Sequence, residues 1–84
     1  MSMTLPTIHM NGTSRRSLID ALCDAHNALV NAVAALRQTT PNGRDFPGDN
    51  NKLMLALCEH NSRVARVEAV QAEVMTIAEA IDQG

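Results

Sequence analysis

The sequence predicts an all-α protein: an antiparallel two-helix hairpin with an extended N-terminal arm, assembling into a homo-oligomeric helical bundle. Two long stretches, Arg15 to Gln38 and Asn50 to Asp82, contain neither glycine nor proline. Each carries apolar residues at alternating intervals of three and four, the period of one helix face. Between them Pro41-Asn42-Gly43-Arg44-Asp45-Phe46-Pro47-Gly48 is dense in residues that break helices and favour turns. Hydrophobic residues make up 45% of the chain and only one residue is aromatic. The core must therefore come from Ala, Val, Leu, Ile and Met, which suit close helix packing.

The 84 residues form one domain. Residues 1–12 include Pro6 and Gly12 and lack a sustained period, so they read as an arm, from which Ile8 and Met10 can still pack. Thr13 or Ser14 offers a hydroxyl as N-cap to a first helix over 14–38. Residues 39–49 form the loop. Asp49 or Asn50 caps a second helix over 50–82, and Gly84 ends the chain.

Leu18, Leu22, Ala25, Leu29, Ala32 and Leu36 make a seam on the first helix, with Ile19, Cys23, Val30 and Val33 as a second stripe beside it. On the second helix Leu53, Leu57, His60, Val64, Val67, Val74, Ala78 and Ile81 keep the heptad, widened by Met54, Cys58, Val70 and Ile77. These faces are wider than one neighbouring helix covers, so copies are expected to associate. A tight reversal places Leu36 near Leu53, Leu29 near His60, Leu22 near Val67 and Leu18 near Gln71. At ~1.5 Å rise per residue the helices span about 36 and 50 Å, so the turns around Met75 to Ile81 overhang and the arm is their natural cover. His60 on the seam reads as a satisfied core histidine or a register-setting polar residue.

A formal charge of −2 and the lack of a Lys/Arg run argue against nucleic-acid binding. Cys23 and Cys58 have no CxxC spacing and read as free, buried thiols in a reducing compartment; the expected register also keeps them too far apart to pair. No segment reads as a secretion signal or membrane span, so the expected location is the cytoplasm of a bacterial host. His9, His26 and His60 are the only imidazoles, and Cys23 with His26 makes half a metal site, so neither metal nor cofactor is expected. A nucleophile, base and acid cannot be assembled on helix surfaces of this length without a rigid pocket, so the chain reads as no enzyme.

Two segments carry candidate binding chemistry. In Asn11-Gly12-Thr13-Ser14-Arg15-Arg16 the glycine lets the backbone turn into a helix whose free N–H groups and positive end can hold an anion, with hydroxyls and guanidiniums beside them. The alternative is an ordinary cap with both arginines in solvent. In Asn42-Gly43-Arg44-Asp45-Phe46, Arg44 can grip a phosphate and Phe46 can stack on a base; alternatively Phe46 plugs the end of the core while Arg44 and Asp45 tie down the loop. The two segments lie at opposite ends of one hairpin, so a composite site requires two antiparallel subunits. Glu59, Arg63 and Arg66 read as a solvated face that an oligomer would turn into a basic pocket.

The run Thr7-Ile8-His9-Met10-Asn11-Gly12-Thr13-Ser14, the Ala/Leu-rich helix after it and Pro41-Asn42-Gly43-Arg44-Asp45 resemble a group of small helical proteins of tailed phages and prophages. The resemblance covers most of the chain; members tend to have tyrosine after the loop aspartate, where this chain has Phe46-Pro47. Phage origin implies a helical oligomer that sequesters a cyclic nucleotide or ADP-ribose-derived signal of bacterial immunity between subunits. The resemblance carries that role to Asn11, Thr13, Ser14, Arg15, Arg44 and Asp45; Arg16 and Phe46 join them from the residue chemistry. The alternative function is an adaptor or inhibitor that engages a host or virion protein through its apolar face.

Overall fold

A serine hydroxyl sets the start of the first helix. In the computed structural model, which describes residues 3–7 and 14–83, Ser14 has an extended backbone and its side chain accepts a hydrogen bond from the Ser17 amide at 3.1 Å. Helix α1 then runs Arg15–Arg37. Its last carbonyls are taken by the amides of Gln38, Thr39 and Thr40, and the Thr39 and Thr40 hydroxyls donate to Leu36 O and Arg37 O at 2.7 and 2.6 Å. The groups orphaned by a helix end are thereby satisfied, and Pro41, which has no N–H, continues no ladder.

The connection has its own local structure. Asn42 accepts from the Arg44 amide at 2.9 Å and opens a single 3-10 turn, Gly43–Asp45. Gly48 has φ +75°, a left-handed conformation that suits glycine. Asp49 accepts from the Lys52 amide at 2.9 Å and caps α2, Asn50–Gln83. All regular structure among the described residues is helical. The arm beyond residue 7, with Ile8, Met10 and Gly12, and the terminal Gly84 lie outside the described residues.

The helices pack as a hairpin, but their axial register differs from the expected one by about three turns. Arg37 Nη2 lies 3.6 Å from Glu68 Oε2, Thr40 Oγ1 lies 3.1 Å from His60 Nε2, and Ile19 and Cys23 share a groove with Met75, Ala78, Glu79 and Asp82. Leu36 therefore does not meet Leu53, nor Leu29 His60, and the turns from Met75 to Ile81 pack on α1 instead of overhanging. The reason is the path of the connection. Instead of reversing tightly, the chain climbs beside α2, with the 3-10 turn packed on that helix. The overhang consequently falls at the start of α2, where Met54 and Leu55 are 60% and 62% exposed.

The contact face of α1 is also rotated from the expected seam. Val33 is buried while Ala25 and Ala32 are exposed, and Ile19, Leu22, Cys23, His26, Leu29 and Leu36 are half-buried. The face thus straddles the two expected stripes. On α2 the buried residues are His60, Val64, Ala78 and Ile81, all of the expected heptad. Cys23 is half-buried and Cys58 is exposed, so the expectation of two buried thiols fails for Cys58; both are free. Their separation grows with the new register, because Cys58 stands about 30 Å along α2 from Ala78, the residue near Cys23.

The result is a rod of 63 × 23 × 17 Å with a radius of gyration of 18.2 Å. A compact domain of this length would have about 12 Å. Among the described residues no side chain is fully enclosed.

Candidate functional site

The structure separates the two candidate segments. Arg15 and Arg16 open α1 beside the C-terminal turns of α2, as the Ile19 and Asp82 groove shows. Arg44, Asp45 and Phe46 follow the other end of α1. The whole length of α1, about 34 Å at 1.5 Å per residue, stands between them. One hairpin does not unite them.

At the first end, the Ser14 hydroxyl accepts from the Ser17 amide and gives its own hydrogen to Ser17 Oγ at 2.9 Å. That hydroxyl is occupied by capping. Arg16 Nε lies 3.5 Å from Asp20 Oδ1 in an exposed pair, an interaction of small energy at that exposure. Arg15 is exposed and makes no ion pair with another described residue. Asn11 and Thr13 lie outside the described residues.

At the second end the 3-10 turn presents Arg44 and Asp45 to solvent and leaves Phe46 half-buried. Arg44 makes no ion pair with a described residue. Its amide is held by Asn42, so the turn is pre-formed while the guanidinium is available, the combination that favours gripping an anion.

Several features escaped the reading of the chain. Thr40 binds His60 across the hairpin; a threonine after a helix reads as a cap, and its second partner has no sequence signal. The Arg37–Glu68 pair was hidden by the wrong register. Glu59, Arg63 and Arg66 share a shallow, open depression with Cys58 and Ser62. All five belong to α2, and Arg66 Nε donates to Ser62 O at 3.3 Å, so this is the solvated face of one helix.

Among the described residues no group of three or more His, Cys, Asp or Glu side chains is placed to hold a metal ion. None of the described helices is long and apolar enough to cross a membrane. No protein-family model, curated protein or solved structure matches the chain.

Proposed function

We propose that the protein is a noncatalytic binding protein, a phage anti-defence sponge that sequesters a cyclic nucleotide or ADP-ribose-derived immune signal where copies of the hairpin meet. The observation that supports this reading is the pair of exposed guanidiniums, Arg15 and Arg44, which have no carboxylate partner among the described residues. Both stand on stiff backbone, one at a capped helix start and one on a tied 3-10 turn. In two antiparallel hairpins the first end of one copy approaches the loop end of the other. Arg15, Arg16 and Arg44 then hold phosphate, Phe46 stacks on the base, Asp45 accepts from a sugar or base, and Asn11 and Thr13 add polar contacts. Ser14 shapes the helix end through its cap.

Calorimetric titration with cyclic dinucleotides and ADP-ribose derivatives tests this. At least one should bind, and Arg15→Ala or Arg44→Ala should weaken that binding at least tenfold with the melting temperature nearly unchanged. Absence of heat for every nucleotide would falsify the sponge reading. A second reading, an adaptor that engages a host or virion protein, is favoured by the exposed Met54 and Leu55 at the overhanging start of α2, and predicts loss of partner capture in Leu55→Asp.

A further inference from the structure

The two sides of the hairpin differ in charge. One is marked by the Arg37–Glu68 pair and by the groove that ends in Glu79 and Asp82. Counting around each helix at about 100° per residue from these markers, the opposite side presents Ala25, Leu29 and Ala32 of α1 with Val70, Val74 and Ile77 of α2. The charged residues within these lengths, Asp20, Asp24, Glu68, Glu73 and Glu79, point outward or to the marked side. Val70 is 47% exposed, and Ala25 and Ala32 are exposed.

We propose that this charge-free side docks a second copy of the chain, hairpin on hairpin, to complete a four-helix bundle. Area argues for an occupant of this size. The chain exposes 6262 Å², whereas a compact protein of 9.1 kDa exposes about 4,900 Å². The excess, about 1,400 Å² per copy, amounts in a pair to about 2,700 Å², within the span of obligate homodimers.

The composition of the side argues for the chain itself as occupant. Interfaces between unrelated proteins concentrate energy in Trp, Tyr and Arg anchors, and this side has none. It has instead Ala21, Ala25, Ala28, Ala32 and Ala35, all exposed and spaced alternately by four and three. Such a seam lets another helix approach closely along its whole length, and it rewards a straight helical partner of matching extent. A two-fold axis sets this surface against itself and needs no other complement. The pairing holds with or without nucleotide, so it does not rest on the ligand reading.

Sedimentation equilibrium at micromolar concentration tests the proposal. The wild-type chain should have twice its 9.1 kDa mass. Ala32→Glu should sediment at the single-chain mass, while Ala34→Glu, an exposed position on the marked side, should remain paired. Because the separated hairpin is thinly packed, the melting temperature of the wild-type chain provides a second readout and should rise with protein concentration. A wild-type chain at the single mass, equal behaviour of the two variants, or a melting temperature flat over a hundredfold concentration range would each overturn the proposal.

Discussion

His60 is 3% exposed, and its Nε2 lies 3.1 Å from the hydroxyl of Thr40. That hydroxyl sends its only hydrogen to Arg37 O. The network therefore assigns a hydrogen to Nε2, which donates to Thr40 and leaves Nδ1 as an acceptor. Nδ1 has no partner among the described residues. Thr40→Val removes the acceptor and strands a buried N–H, which should cost roughly 1–3 kcal/mol, seen as a lower melting temperature. Adding His60→Leu should recover part of the loss, because removing both polar partners is less damaging than removing one. A double variant no more stable than Thr40→Val would show that the bond carries little. At Gly48, φ +75° means that Gly48→Ala should destabilise by roughly 1–2 kcal/mol, measurable by thermal melting. The importance of His60 was legible, because a polar residue on an apolar stripe stands out; Thr40 was not, since it came from a segment that shares no period with α2.

The helices themselves were legible from long runs without glycine or proline and from hydroxyl and carboxylate caps. Their axial offset was not, because helical periodicity states which side of a helix is apolar and is silent on where along the partner it packs. The offset was decided by the connection, where Asn42, the Gly43–Asp45 turn and Gly48 steer the chain up along α2. Two measurements distinguish the registers. Ala78→Cys should form a disulfide with Cys23 on mild oxidation, visible as a shift in gel mobility, whereas the tight-reversal register separates these residues by about three turns. Amide exchange should be faster over residues 50–59, beyond the end of α1, than over residues 64–81. Uniform exchange along α2 would contradict this account of the overhang.

Across the whole molecule, the breadth of the apolar stripes was legible in the sequence, and exposed Val30, Met54, Leu55 and Val70 are its structural counterpart. The candidate binding site was legible only as chemistry. Guanidiniums near a helix start and on a turn can be read from the chain, but their convergence depends on how copies are arranged, which no period within one chain encodes. The ligand prediction therefore belongs to this scale. Arg15→Ala and Arg44→Ala, mixed as two populations of the same assembly, should restore a fraction of intact sites if each site draws one arginine from each copy. Titration of the mixture should then show heat that neither variant gives alone.

A shape held by so few sheltered side chains has a consequence for descent. Val33, His60, Val64, Ala78 and Ile81 are the buried residues among those described, and elsewhere the exchange of one helix-forming residue for another disturbs little. Lineages built on this hairpin are free to diverge quickly in letters while keeping their form. Kinship among them is better sought in the spacing of those five positions and in the turn that offsets the helices than in the count of shared residues.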